Sequence, residues 1–269
     1  MSDKAKATVP AFRLSKGSRR LSMVTAYDTP SALACDGAGI DAILVGDSLG
    51  MVILGHPSTL PVTMEDMVHH LRAVRSGVHR ALLIADMPYL SYHVSLEDSI
   101  RNAGRMVQEG GAEAVKIEGG KKRIPVIRAL QDAEIPVMGH LGLTPQSVHA
   151  LGGYRVQGRE PGSAAHFVEA AVALQDAGVF AIVLEGMPDS VAAEITRNVN
   201  IPTIGIGAGP HCDGQVLVFH DLLGWAYGPL PKFVRPCADL KTILHEALVS
   251  YRRDVEEGVF PSGDESYGG

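Results

Sequence analysis

The chain has 269 residues, of which 46% are hydrophobic and 20% are charged, and its 24 basic and 30 acidic residues give a formal net charge of −6. This composition excludes a wholly disordered chain, because it supplies enough apolar side chain for a sizeable core. The acidic excess and the scattered basic residues give no support to nucleic-acid binding. The length allows either two small domains or one α/β barrel of ordinary size.

No uninterrupted apolar run reaches the roughly 20 residues that a membrane-spanning helix needs, and the start of the chain lacks the apolar core of a secretory signal. We therefore expect a cytoplasmic protein with no membrane partner. Cys35, Cys212 and Cys237 are odd in number and lack metal-ligand spacing. They are expected to be reduced thiols and not part of a disulfide framework or a zinc cluster.

Eight short apolar runs rich in Val, Ile and Leu recur along the chain. They occupy residues 21–28, 41–47, 81–88, 112–119, 135–142, 180–187, 201–209 and 214–221. Nearly every residue of a run is apolar, with no alternation between apolar and polar positions. This pattern predicts strands of a parallel sheet that is covered on both faces.

Helical patterns fill most of the gaps between these runs. Three amphipathic segments are the clearest, at residues 95–108, 164–177 and 240–255. The first starts at Ser95 and Asp98, whose spacing is typical of a capping box. The two ends of the chain, residues 1–12 and 261–269, are expected to be polar, flexible tails.

Three segments of the chain share a faint repeat: CDGAGIDAILVGD, QEGGAEAVKIEG and QDAGVFAIVLEG. Each passes from a helix end through glycine into a strand that finishes on an acid. Strands separated mainly by helices, with no break in composition, favour a single (β/α)8 barrel domain over residues 1–269 and not a doubly wound open sheet. The short gap 209–214 predicts an irregular barrel near its last strands.

Acidic residues end three neighbouring strands of the predicted barrel, at Asp47, Asp86 and Glu118. The C-terminal ends of barrel strands form one face, so these carboxylates are expected to converge. A cation would relieve their repulsion, and hard oxygen ligands suit Mg²⁺ better than zinc. The alternative is that each acid caps the following helix or binds loop amides.

Three further residues at strand ends could carry chemistry. Lys116 points to the same side as Glu118 and needs an anion beside it, which could be a substrate carboxylate or Glu118 itself. His140 could donate to a bound carboxylate or oxyanion, or be a satisfied histidine at the rim. Glu185, partly desolvated after an apolar run, suits a general base, or it could be a structural salt-bridge partner.

Two loops stand out by composition. Residues 48–61 are rich in glycine, proline and small polar residues and directly follow a candidate metal ligand, which indicates an active-site loop. Residues 205–209, GIGAG, fit either a phosphate-binding turn or a tight turn with close backbone packing.

A series of motifs extends through these segments: VGDSLGM, GHPSTLPVT, LLIADMP, VKIEGG, GHLGLTPQS, GGYRVQGR, VLEGMP, IGIGAG and DGQVLVFHD. In order and spacing they closely resemble the ketopantoate hydroxymethyltransferase family, over residues 21–261. The resemblance implies a (β/α)8 TIM barrel of the phosphoenolpyruvate mutase and isocitrate lyase type. It also implies a homo-oligomer, with a decamer expected, that acts at the first committed step of pantothenate biosynthesis.

The resemblance implies a reaction and a set of site residues. The family transfers a hydroxymethyl group from 5,10-methylenetetrahydrofolate to the 2-oxo acid 3-methyl-2-oxobutanoate, which gives 2-dehydropantoate. Its magnesium ligands correspond to Asp47, Asp86 and Glu118. Its contacts with the 2-oxo acid correspond to Asp47, Ser48, Asp86, Lys116 and His140. Its proton acceptor corresponds to Glu185.

These assignments fit a mechanism in which Mg²⁺ acidifies the C3 proton of the 2-oxo acid, Glu185 removes it, and a metal-stabilised enolate attacks the folate methylene carbon. Two rival functions stay open. One is a Mg²⁺-dependent C–C lyase or mutase of a related barrel family, which would need more cations than the predicted rim supplies. The other is a non-catalytic scaffold barrel, which would be expected to have lost Glu185.

Overall fold

Eight parallel strands close into a barrel in the order in which they occur in the chain. They are β1 (Leu21–Thr25), β2 (Ala42–Val45), β3 (Leu82–Asp86), β4 (Ala114–Glu118), β5 (Val137–Gly142), β6 (Ala181–Glu185), β7 (Thr203–Ile206) and β8 (Gly214–Leu217). Each lies within one of the eight predicted runs. The prediction of a (β/α)8 barrel is therefore confirmed.

The computed structural model describes residues 5–160 and 162–267. The α-helices of this part of the chain are α1 (Val9–Arg13), α2 (Thr29–Gly37), α3 (Leu49–Val52), α4 (Met64–Arg75), α5 (Leu96–Gln108), α6 (Ile124–Asp132), α7 (Val148–Leu151), α8 (Ser163–Asp176), α9 (Asp189–Asn198), α10 (Phe219–Leu222) and α11 (Leu240–Glu256). The three helices predicted from amphipathic segments correspond to α5, α8 and α11. The described residues between β7 and β8 form no helix, as the short gap predicted.

Several helices start at polar caps that the sequence supplies. Asp28 accepts from the backbone N–H of Ser31 at the start of α2, and Thr63 accepts from Asp66 at the start of α4. Ser95 accepts from the backbone N–H of Asp98 at the start of α5. Each cap satisfies a backbone donor that the first turn leaves unpaired, which fixes where the chain turns from loop into helix.

The interior of the barrel is built from alternate residues of its strands. One apolar cluster takes Leu82 and Ile84 from β3 and Ala181 and Val183 from β6. Because side chains alternate along a strand, the next inward positions on β3 and β6 fall to polar residues at the C-terminal face. The same two-residue period thus builds the core and aims the candidate site residues inward.

The first described residues close the opposite end of the barrel. Helix α1 inserts Phe12, which is 2% exposed, into the interior cluster, where its ring meets Phe180 edge to face at 5.9 Å. The polar residues at the start of the chain predict a flexible tail over residues 1–12. The structure differs at Phe12, because an aromatic side chain gains more from filling the barrel floor than a short polar segment gains from solvation.

Contacts divide the chain into two compact units, one ending at Phe219 and the other beginning at His220. In the second unit, the rings of His220 and Trp225 stack at 5.0 Å, and Asp239 caps the start of α11. No residue of α11 is buried. The expectation of a single domain over residues 1–269 stays a prediction.

Within the described residues, no helix has the length and apolar character to cross a membrane.

Replacing Phe12 by Ala is expected to lower the free energy of unfolding by about 3 to 5 kcal/mol, because it leaves a cavity in the barrel floor. Leu14 ends the same helix but is 81% exposed, so Leu14→Ala is the matched control and should cost about 0.5 kcal/mol or less. Urea titration of both variants checks this. Equal losses would show that Phe12 does not support the floor.

Candidate active site

The strands gather charged side chains at the C-terminal face of the barrel. Asp86 of β3, Lys116 and Glu118 of β4, His140 of β5 and Glu185 of β6 all lie two residues beyond an inward core position or another site residue. Asp86 pairs in register with Lys116, and Glu118 with His140. Neighbouring strands therefore place these side chains next to one another.

Asp47 reaches the site from the loop after β2. Its side chain is buried like those of Asp86 and Glu118, with 3% to 4% exposure for the three residues. Burial, followed by the charges of Asp86 and Glu118, raises the pKa of Asp47 well above its ordinary value. The Asp47 carboxylate accepts a hydrogen bond from a neutral side-chain amide, that of Gln146. The surroundings of Asp47 therefore destabilise its ionised form.

Lys116 forms a buried ion pair with Asp86, with 2.7 Å between Nζ and Oδ2. Burial acts to lower the pKa of Lys116, but the surrounding carboxylates, Asp86 first among them, raise it above its ordinary value. The sequence predicts either Glu118 or a substrate carboxylate as the anion beside this lysine. Asp86 takes that place because the strand register puts it directly opposite.

One oxygen of Asp86 is left without a protein partner. Oδ2 contacts Lys116, whereas Oδ1 is buried and accepts no hydrogen bond from the described residues. Burial raises the pKa of Asp86, although the charge of Lys116 acts against this. A buried carboxylate oxygen without a donor is costly, so this atom is a candidate contact for a ligand.

His140 lies between two carboxylates. Its Nδ1 is 3.5 Å from Oε1 of Glu118 and 3.3 Å from Nζ of Lys116. Its Nε2 is 3.2 Å from Oε2 of Glu185, which is an ion-pair distance without hydrogen-bond geometry. Burial and Lys116 act to lower the pKa of His140, but the carboxylates of Glu118 and Glu185 raise it to about 9. The imidazole is therefore protonated at neutral pH.

Glu118 and Glu185 differ in their surroundings. Burial acts to raise the pKa of Glu118, but His140 and Lys116 lower it below its ordinary value. Glu118 also accepts from the backbone N–H of Gln146 at 3.0 Å. The side chain of Glu185 is 17% exposed and faces the same histidine from the other side. The Glu185 carboxylate is thus partly accessible at the mouth of the barrel, whereas the Glu118 carboxylate is buried and held by its partners.

The loop after β2 carries the remaining predicted site residue. Ser48 lies directly after Asp47, and its Oγ is 2.7 Å from the hydroxyl of Tyr27, which follows β1. Helix α3 begins at the next residue and lies within the predicted active-site loop. A hydroxyl at this position, already held by a tyrosine, can contact a ligand beside Asp47.

Gln146 links two of the acids and was missed by the sequence analysis. Its Nε2 donates to Oδ2 of Asp47 at 2.8 Å and to the carbonyl of Met87 at 2.9 Å. The hydroxyl of Tyr92 donates to its Oε1 at 2.6 Å, which fixes the amide orientation. A neutral glutamine and a tyrosine carry no charge pattern that marks a site. The signal that the sequence offers is the position of Gln146 within the GHLGLTPQS motif.

The structure permits a test of whether these residues suit a divalent cation. Among the described residues, no group of three His, Cys, Asp or Glu side chains is already arranged around a metal position. The physical reason is that Asp86 and Glu118 are engaged by Lys116 and His140. The unpartnered Oδ1 of Asp86 and the uncompensated Asp47 nevertheless supply hard oxygen donors, which are the ligands that Mg²⁺ prefers.

Comparison with known proteins gives both a family and a fold. Residues 6–263 match the family model described as ketopantoate hydroxymethyltransferase. The chain is 54% identical over 269 residues to the 3-methyl-2-oxobutanoate hydroxymethyltransferase of Pelobacter propionicus, covering 99% of this chain and 100% of the relative. It is 58% identical over 247 residues to the enzyme of that name from Koribacter versatilis, covering 92% and 84% of the two chains.

Two solved structures share the fold at low sequence identity. A phosphonopyruvate hydrolase in complex with oxalate and Mg²⁺ has a TM-score of 0.64 at 16% identity, covering 96% of this chain and 93% of that one. A 2,3-dimethylmalate lyase of the PEP mutase/isocitrate lyase superfamily has a TM-score of 0.61 at 17% identity, covering 96% and 91%. These likenesses agree with the predicted barrel fold.

The raised pKa of Asp47 predicts a pH effect on stability in the absence of divalent cations. An acid whose pKa is raised by folding contributes stability below its unfolded pKa and loses that contribution as the pH rises through its folded pKa. Asn at position 47 carries no charge, so the advantage of Asp47→Asn over the parent in free energy of unfolding should grow as the pH rises from about 5 to about 8. Urea titrations in EDTA at both pH values measure this.

The exposed Asp132→Asn serves as the control and should show no such growth. A pH-independent difference for Asp47→Asn would mean that Asp47 is not destabilised by its neighbours.

Proposed function

Since the chain belongs to the ketopantoate hydroxymethyltransferase family, we propose that it transfers a hydroxymethyl group from 5,10-methylenetetrahydrofolate to 3-methyl-2-oxobutanoate. The product is 2-dehydropantoate, an intermediate of pantothenate biosynthesis. The observation that carries the proposal is the position of Glu185, a partly exposed carboxylate beside a buried group of acids, Lys116 and His140. That arrangement suits the removal of a proton from carbon next to a carbonyl group.

The 2-oxo acid would bind among Ser48, Asp86, Lys116 and His140. Lys116 and His140 are both cationic at neutral pH, so they can offset the negative charge of the substrate carboxylate. The Ser48 hydroxyl can donate to the same ligand. These groups are held by ion pairs and strand register before substrate arrives, which lowers the reorganisation needed in the reaction.

Asp47 and Asp86 would hold a Mg²⁺ ion, with Glu118 nearby as the third acid. When bound, the ion would withdraw electron density from the 2-oxo acid and make its C3 proton more acidic. The uncompensated Asp47 and the free oxygen of Asp86 support this assignment. Gln146 would keep the Asp47 carboxylate in place through its 2.8 Å hydrogen bond.

Glu185 would act as the base that removes the C3 proton. His140, 3.2 Å away and protonated, holds this carboxylate in position for the step. The electron pair left at C3 then forms the new C–C bond to the folate methylene carbon. Both bonds from that carbon to folate nitrogens break, and water supplies the hydroxyl oxygen of the product. The proton taken from C3 and one proton from the water end on the two freed nitrogens as tetrahydrofolate leaves.

A lyase or mutase acting on a dicarboxylate or phosphonate is the second candidate, because proteins of similar fold have such names. A second anionic group on the substrate would need a further cation. Lys116 is already paired with Asp86, which favours a substrate with one carboxylate. The homo-oligomeric state, with a decamer expected, and the cytoplasmic location stay predictions.

Proton exchange tests the role of Glu185. With 3-methyl-2-oxobutanoate and Mg²⁺ in D₂O, the parent protein should exchange the C3 proton without folate, as followed by NMR. Glu185→Gln should slow the exchange by about 10² to 10⁴-fold, because general base catalysis is lost. Glu97→Gln removes an 81% exposed carboxylate on α5 and serves as the control. No exchange by the parent protein would overturn the proposed function, and full exchange by Glu185→Gln would overturn the role of Glu185.

Metal binding predicts a second effect. Mg²⁺ at 100 times its dissociation constant should raise the free energy of unfolding of the parent protein by about 2.7 kcal/mol. Asp47→Asn should gain much less, because it lacks one of the anionic ligands, whereas Glu97→Gln should gain as much as the parent. Equal stabilisation of all three proteins by Mg²⁺ would exclude Asp47 as a ligand.

A further inference from the structure

A short segment of the chain crosses the mouth of the barrel above the site. Residues 154–157, here called the crossing segment, belong to the connection between β5 and α8. At its start, the hydroxyl of Tyr154 lies 3.9 Å from Sδ of Met51 in α3, beyond β2. At its end, the backbone N–H of Gln157 donates to the carbonyl of Gly186, beyond β6, at 2.8 Å. Strands β2 and β6 lie on opposite sides of the eight-stranded ring.

Glycines fix the two ends of the crossing segment. Gly153 has a φ of 116° and Gly158 a φ of 88°, which side-chain-bearing residues rarely adopt. At Gly158, a Cβ would also come within 3.4 Å of the Phe167 ring. The chain therefore turns sharply on both sides of the mouth, and the segment between the turns is held in place at Met51 and Gly186.

The crossing segment exposes apolar surface where a substrate would enter. Tyr154 is 49% exposed, Val156 is 42% exposed, and Met51 is 42% exposed. Burial and the carboxylates of Asp47, Glu185 and Glu118 raise the pKa of the Tyr154 hydroxyl, in keeping with its position above these acids. An exposed aromatic ring next to a thioether, at the entrance to a buried polar site, offers a surface on which a flat ring can stack.

Cations flank this apolar surface. Arg155 lies within the crossing segment and Arg159 lies two residues beyond its end, and both are exposed in a chain whose net charge is −6. An exposed aromatic side chain with two exposed arginines within five residues of it fits a ligand with a flat ring at one end and carboxylates at the other. The 2-oxo acid has no ring, so these residues are not needed for its recognition.

We propose that the crossing segment and Met51 form the binding surface for the folate co-substrate. Tyr154 and Met51 receive the bicyclic pterin ring, and Arg155 and Arg159 pair with carboxylates of the glutamyl tail. This placement brings the one-carbon unit of the folate over the 2-oxo acid, on the side where Glu185 is exposed. The inference rests on the proposed function, because that function supplies the folate.

Binding of three probes tests the proposal on the full-length protein in the presence of 3-methyl-2-oxobutanoate and Mg²⁺. Calorimetry is used with tetrahydropteroate, which lacks the glutamyl tail, with tetrahydrofolate, and with its triglutamate. Tyr154→Ala should weaken all three probes by at least tenfold. Tyr154→Phe keeps the ring and should bind them within threefold of the parent.

The arginines make a separate prediction. The double variant Arg155→Gln, Arg159→Gln should weaken the triglutamate by at least tenfold but tetrahydropteroate by less than threefold. Arg13→Gln, on the exposed side of α1 at the other end of the barrel, is the matched control and should bind all three probes like the parent.

The outcomes separate this inference from the proposed function. Parent-like binding by Tyr154→Ala, together with parent-like binding of the triglutamate by the double arginine variant, would overturn the folate surface and leave the function standing. A parent protein that exchanges no C3 proton and binds none of the three probes would overturn the proposed function itself, and the folate surface with it.

Discussion

The site depends on three carboxylates that are buried at one end of the barrel. Too few cationic side chains lie beside them to balance their negative charge. Lys116 is committed to Asp86, and His140 is shared by Glu118 and Glu185. Asp47 is left with a neutral amide, and one oxygen of Asp86 has no hydrogen-bond partner among the residues that the structure describes. In a low-dielectric interior such an imbalance is expensive. This charge imbalance therefore favours the binding of a cation at the site.

The same imbalance separates the roles of chemically similar groups. Glu118 is stabilised as an anion by its neighbours, which lower its pKa, whereas Asp47 is penalised as an anion. Glu185 is held against a protonated imidazole but stays open to the mouth. The register of β3 to β6 sets these differences, because it decides which cation each acid meets. Strand pairing therefore determines the electrostatic surroundings of each acid as well as the shape of the barrel.

The fold and the charged residues of the site could be predicted from the sequence because both follow a short-range pattern. Apolar runs mark the strands, and a two-residue period carries the core positions of β3 and β6 on to Asp86 and Glu185. The partner of Lys116 was not foreseen, since it depends on the register between two strands. Gln146 and Tyr92 were missed because their contacts join distant parts of the chain and their side chains are uncharged. Phe12 was assigned to a tail because the start of the chain is rich in polar residues and too short in apolar ones to mark a core element, while its neighbours in space are apolar.

The floor residue Phe12 also constrains the order of events when the protein is made. The Phe12 ring packs against Phe180, and the first strand of the barrel pairs with the last. Residues that are synthesised early therefore reach their native contacts only after residues that are synthesised late have become available. Until β6 to β8 have left the ribosome, the N-terminal segment has no place to dock, and its apolar ring stays in water. Such non-local pairing slows folding and leaves apolar surface exposed until the strands have paired. The packing of Phe12 is accordingly completed only when strands from both ends of the barrel have come together.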